Sequence, residues 1–253
     1  MSRGATGGAA HLSNHGLLMR DSWRHFVAEF IGIFALVFVG GASIMSATMS
    51  NINPLVPASI AHGLILGIMV TATMRISGHL NPAVTIGFMV TRRIELMMGV
   101  IYIIAQLLGA AVAAYALKAV FPEQILAATR IGGQSVAADV SMWQAVLCEA
   151  IATFFLVFVV FGTAVDPHAP KVGGFAIGLV VTADILAIGS RTGGSMNPAR
   201  SFGPAVVSQV FEGQAVYWIG PILGGICAAV LYDALFLRRG KEQVDHGAVD
   251  PRG

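Results

Sequence analysis

Six apolar stretches, approximately Phe26 to Thr48, Leu55 to Met74, Leu96 to Ala119, Trp143 to Val165, Val172 to Ser190 and Gln214 to Leu237, leave this chain few ways to fold. A helix needs about 20 residues to cross roughly 30 Å of hydrocarbon, and each stretch supplies close to that. Only 11% of the 253 residues are charged and 56% are apolar, whereas a typical globular domain is about one quarter charged. That balance excludes a disordered chain, a coiled coil, a nucleic-acid binder and a disulfide-stapled secreted scaffold. A polytopic membrane protein is left. Cys148 and Cys227 both lie inside apolar stretches and read as small core residues rather than a disulfide. The polar start of the chain shows no short apolar region with a cleavage site, so no cleaved signal peptide is expected.

Orientation follows from the distribution of positive charge over loops and tails. With the N-terminus inside, one side holds Arg3, Arg20, Arg24, Arg75, Arg92, Arg93, Lys171, Arg238, Arg239, Lys241 and Arg252. The other holds Lys118, Arg130 and Arg191. Both termini are therefore expected in the cytoplasm, with the cell membrane as the expected location.

Two polar breaks come as a pair. After the second span the chain reads Ser77-Gly78-His79-Leu80-Asn81-Pro82-Ala83, and after the fifth Gly193-Gly194-Ser195-Met196-Asn197-Pro198-Ala199-Arg200. Asn is a good helix N-cap, and Pro at the first helical position gives up no hydrogen bond. The apolar pieces that follow, 81–91 and 197–207, are too short to cross a membrane and are expected to be half-helices.

The repetition extends further. Glu29 to Val39 aligns without gaps to Glu149 to Val159 with seven of eleven positions identical, and Tyr102, Leu108 and Gly109 match Tyr217, Leu223 and Gly224. The expected organisation is a tail at 1–25, a first repeat at 26–119, a connecting loop at 120–142, a second repeat at 143–237 and a tail at 238–253. Three spans per repeat put the two copies in opposite orientations, so the half-helices enter from opposite faces and their N-termini meet near the midplane. The expected fold is an all-α membrane protein of six transmembrane helices plus two re-entrant half-helices in an inverted repeat.

Each helix N-terminus carries about half an elementary positive charge and free N–H groups. Two aimed at one place repel cations, while a neutral dipole can turn its oxygen to the Asn81 and Asn197 amides and pass. Arg200, about one turn along the second half-helix, adds a full charge where the first copy has Val84. Glu29 and Glu149, the paired intramembrane carboxylates, are expected to accept hydrogen bonds from the re-entrant loops rather than to relay protons. Asp184 has no partner in the first copy.

Paired Asn-Pro-Ala boxes, the Asn-Pro-Ala-Arg form in the second, a glutamate in spans one and four, and six spans together resemble the major intrinsic proteins, the aquaporins and glycerol facilitators, over about residues 22 to 237. The resemblance implies a homotetramer in a lipid bilayer, one pore per subunit, passive transport of water and small neutral solutes, no cofactor and no metal. It makes Asn81 and Asn197 the pore centre, Glu29 and Glu149 the loop support, and His62, Ile185, Gly194 and Arg200 the selectivity filter. His62 and Ile185 lie at similar depths in their spans, roughly 10 Å at 1.5 Å per residue, so they can share one layer. Glycerol facilitators carry an aspartate after the second-box arginine; this chain has Ser201, and Ala205 with Tyr217-Trp218 is similar to water-type members. A histidine in span two with Ile185 and Gly194 resembles the tonoplast-intrinsic aquaporins thought to pass ammonia as well as water. Members with ammonia permeability also have a histidine in the long outer loop, where this chain has Gln134. His79 is expected either to line the cytoplasmic vestibule or to brace its loop.

A passive water channel is thus the expected function. A glycerol or urea facilitator and an ion-coupled secondary transporter are the alternatives, the latter requiring titrating groups at the midplane. No nucleophile, base and orienting group converge to suggest an enzyme.

Overall fold

The computed structural model describes residues 7–170 and 172–237, with side chains from residue 22 on. Among the described residues the helices are α1 (Gly7–Met49), α2 (Leu55–Thr73), α3 (Pro82–Val90), α4 (Leu96–Val120), α5 (Glu123–Thr129), α6 (Met142–Val160), α7 (Phe175–Thr192), α8 (Pro198–Ser208) and α9 (Val216–Tyr232). Six are long and apolar enough to cross a membrane, and α6 and α9 end in π-turns at Phe161–Val165 and Asp233–Leu237. Helix α1 starts well before the apolar stretch that begins at Phe26, because no proline interrupts the preceding residues and polarity does not stop a helix outside hydrocarbon. The stretch 120–142, read from sequence as a loop, contains the two-turn helix α5.

Helices α3 and α8 are short because each has a built start and stop. Asn81 Oδ1 accepts from Ala83 N–H at 2.8 Å, and Asn197 Oδ1 accepts from Ala199 N–H at 3.1 Å and Arg200 N–H at 3.3 Å. These bonds satisfy donors that a helix start leaves open, and Pro82 and Pro198 follow at the first position. Left-handed residues end both helices, Arg92 (φ 57°) just beyond α3 and Gln209 (φ 59°) at the α8 C-cap. Nine residues of α3 span about 13 Å, less than half the hydrocarbon.

Each half-helix packs on the other repeat. Gly87 of α3 sits on α9, where an added Cβ would come 3.3 Å from the Gly225 carbonyl oxygen, and Gly203 of α8 sits still more closely on Ala110 of α4. Gly87 and Gly203 are equivalent in the two copies, as are Gly225 and Ala110. Small residues let the backbones touch where apolar lipid supplies no hydrophobic drive to association. The same device joins α1 to α4 at Gly109 against Phe30, α6 to α9 at Gly224 against Ala150, and α2 to α7 through Gly63 and Gly178. The repeats are thereby interlocked around a shared axis with Leu36, Leu80, Leu156, Val181 and Met196 at its core. The outer surface carries Leu64, Ile68, Phe155, Leu179 and Leu223, all exposed, which a hydrocarbon solvent accepts and water would not.

Candidate functional site

The two caps meet through their backbones as well as their side chains. Asn81 Nδ2 donates to the Met196 carbonyl and Asn197 Nδ2 donates to the Leu80 carbonyl, each at 2.8 Å. Each asparagine thus bonds the residue preceding the other asparagine, a reciprocal clasp between half-helices from opposite faces. Leu80 (φ 51°) and Met196 (φ 53°) both take the left-handed conformation, which costs about 1–2 kcal/mol for a residue with a side chain. Both are essentially fully buried, so packing holds them there. An amide NH2 has two protons. One of each pair is spent on the clasp, which leaves one donor on Asn81 and one on Asn197 for anything passing between them.

Behind the clasp stand two carboxylates. Glu29 accepts from the backbone N–H groups of Gly78 (2.9 Å), His79 (2.8 Å) and Leu80 (2.6 Å), and from the Gln106 side-chain amide (2.7 Å). Glu149 accepts from the backbone of Ser195 (2.9 Å) and Met196 (2.7 Å) and from the Thr192 hydroxyl (2.6 Å). Buried backbone donors that a broken helix exposes are otherwise costly. Gln106 and Thr192 escape a reading by repeat alignment, since neither has a matching partner in the other copy. A lone glutamine within the third apolar span was the available signal for the first.

Two cavities adjoin. The outer one, of 310 Å³, is lined by Asn53, Gln134, Ser135, Gly193, Ile185 and Arg200 among others. The inner one is a waist of 10 Å³ between His62, Asn81, Val181, Ile185, Asn197 and Arg200, room for about one water. Ile185 and Arg200 line both, so the boundary between wide and narrow runs through them. Gly194 lies between Gly193 of the outer cavity and Ser195 of the waist, and a Cβ on it would stand 3.1 Å from Ile185 Cα. The structure therefore brings His62, Ile185, Gly194 and Arg200 into one neighbourhood just outside the asparagine pair. His62 Nδ1 lies 2.7 Å from the Ala58 carbonyl. A carbonyl only accepts, so Nδ1 carries the proton, and in the neutral form of the ring Nε2 is an acceptor. The ring rests against Gly40, where any side chain would overlap it.

Arg200 is 4% exposed, too buried to snorkel to an interface. With its amide oriented to satisfy both groups, Gln134 accepts through its oxygen from both Arg200 amino groups. In the sequence Gln134 is visible only as a departure from a family pattern; its contact with Arg200 is not. His79 sits in the first re-entrant loop, its ring tilted against Phe88 at 4.2 Å and edge-on to Tyr102 at 5.0 Å, with Nδ1 3.2 Å from the Thr85 hydroxyl. Asp184 is buried, and among the described residues its Oδ2 has no hydrogen-bond partner. Among the described residues no cluster of metal-binding side chains occurs.

Comparison with known proteins shows what the chain is similar to. Residues 17–232 match the family model described as major intrinsic protein. The chain is 41% identical over 247 residues, 94% of each chain, to a probable aquaporin TIP1-2 of Oryza sativa subsp. japonica. It is 42% identical over 226 residues, 85% of this chain and 88% of the other, to aquaporin TIP2-1 of Arabidopsis thaliana. Among solved structures it resembles the aquaglyceroporin from Plasmodium falciparum at 25% identity and a TM-score of 0.73, covering 88% of this chain and 99% of that one.

Proposed function

This chain belongs to the major intrinsic protein family, and on that footing we propose that it conducts water passively, in single file, between the caps of its two half-helices. The observation that carries the reading is the reciprocal clasp beside a waist of 10 Å³. A water entering from the outer cavity meets Arg200 as donor and His62 Nε2 as acceptor, and its oxygen then turns to the free protons of Asn81 and Asn197. Both helix N-termini hold that orientation, because their partial positive charges favour the oxygen end. A cation meets two dipole ends and a guanidinium and finds no compensating carboxylate on the waist lining. Glu29 and Glu149 serve as loop support, and Ile185 and Gly194 complete the filter.

The reading extends to other small neutral solutes such as ammonia, since Ile185 and Gly194 add no polar demand at the boundary. It disfavours glycerol, because Ser201 stands where facilitators carry an aspartate. The protein is a multi-pass membrane protein. Charge asymmetry of the loops supports cytoplasmic termini, and that argument is the same for a cell membrane and a vacuolar one. A homotetramer is proposed from family membership.

Reconstituted protein is expected to speed osmotic shrinkage of liposomes under a sucrose gradient, with a low activation energy and unchanged proton leak. Stopped-flow light scattering with sucrose, ammonium, urea and glycerol gradients measures it. Flux that saturates or follows an ion gradient would instead establish a coupled transporter.

A further inference from the structure

The segment leading into Gln134 is built in a conformation that side chains avoid. Arg130, Ile131 and Gly132 have φ of 50°, 55° and 73°. Three successive residues therefore trace a left-handed turn, closed by Gly133 N–H donating to the Arg130 carbonyl at 3.0 Å. Left-handed residues ordinarily occur singly, and a β-branched isoleucine is among the least suited. Such a turn persists only where its surroundings over-determine it.

Here they do. Ile131 is 4% exposed and packs with Met45 of α1, Ala114 and Leu117 of α4, Leu126 of α5 and Val207 of α8. Gly132 lies flat on α1, where an added Cβ would stand 2.6 Å from Gly41 Cα. The neighbouring Gly40 is the seat of the His62 ring. One glycine pair on α1 thus locates the turn on one side and His62 on the other. Two residues past the turn, the stem of Gln134 crosses Gly193, where a Cβ would lie 2.9 Å from Gln134 Cβ, and its oxygen receives both Arg200 amino groups.

We propose that Ile131 is a positioning residue for the filter: wedged between the second half-helix and the first repeat, it fixes the left-handed turn, the turn fixes Gln134, and Gln134 fixes the Arg200 guanidinium that sets which neutral solutes pass. The inference rests on Arg200 acting in the filter. A wedge that touches both α8 and α1 also ties the arginine's own helix to the glycine that seats His62, so one side chain keeps the two polar filter groups in register.

The test is the ratio of urea to water permeability of the full-length protein in proteoliposomes. Loss of folded protein lowers both fluxes alike and leaves the ratio unmoved, so the ratio isolates positioning from stability. Ile131→Ala is expected to raise it about three- to ten-fold, in the range of coupling between residues sharing a network. Gln134→Leu raises it similarly, and the double variant raises it no further than Gln134→Leu alone. Additive effects, or an unchanged ratio in Ile131→Ala, overturn the proposal. Should Ile131→Ala not insert, Ile131→Val carries the same test with a smaller expected rise, and no rise overturns it. Arg200→Val separates the two layers of argument. If it leaves the ratio unchanged, the filter reading itself fails; if it raises the ratio while the Ile131 variants do not, only this inference fails.

Discussion

In the first repeat seven residues separate the end of α2 at Thr73 from the Asn81 cap, whereas in the second only four separate Thr192 of α7 from Asn197. The longer loop offers Glu29 three backbone donors, and Gln106 supplies a fourth from α4. The shorter loop offers Glu149 two, and the last residue of α7 supplies the third through its hydroxyl. Even the matched tyrosines diverge: Tyr102 pairs with His25 at 2.6 Å, while Tyr217 donates to the Thr192 carbonyl at 2.8 Å. The ends are nonetheless the same, an extended asparagine after a buried left-handed residue, each clasping the other. What the inverted repeat preserves is the position of the caps, and the bracing behind them is free to differ.

The largest expected effect comes from removing the braces. Glu29→Ala strands one buried and two part-buried N–H groups, and Glu149→Ala strands two buried N–H groups with a buried hydroxyl, at about 1–3 kcal/mol per unsatisfied buried donor. Both should lose much of the stability of the fold, Glu149→Ala more because all three of its donors are buried, as read from thermal midpoints in detergent. Equal or negligible losses would break the comparison. Next is the exchange of the asymmetric pair. Arg200→Val is expected to raise urea permeability several-fold, whereas Val84→Arg, burying a charge in the equivalent place of the first repeat where Val84 is 3% exposed, should abolish folding rather than add a filter. A well-folded, water-conducting Val84→Arg protein would show that the two halves tolerate the same charge.

Smaller still is Gln106→Leu, which takes one donor from Glu29 and is expected to cost about 1–2 kcal/mol with water permeability per folded protein retained. It sharpens the comparison, since Pro221 occupies the equivalent place in the second repeat and Glu149 manages without such a partner. Last comes the outer loop. Asp139 is held below the usual carboxylate range by the hydrogen bond and charge of Arg191, 2.8 Å away, so its contribution exists above the normal carboxylate pKa and fades as pH falls through its lowered value. The pair is exposed, and Asp139→Asn should leave thermal midpoint and permeability unchanged between pH 5 and pH 8.

Spans, half-helices, the inverted repeat and the asparagine pair are all written locally. Apolar length, cap chemistry and gap-free alignment are properties of contiguous residues, and Asn81, Asn197, Glu29 and Glu149 are legible from them alone. The partners of those residues are not. The Leu80 and Met196 carbonyls belong to segments more than a hundred residues from the amides that bond them, and nothing in either tripeptide names them. Gln134 reaches Arg200 because a left-handed turn, whose conformation isoleucine disfavours, is held by side chains from four helices. Local propensity argues against that turn, and only long-range packing could decide it. The division has one physical cause: hydrocarbon length and backbone satisfaction act on each segment separately, while the width of the waist and the aim of its donors depend on how segments distant in sequence close around the same few ångströms.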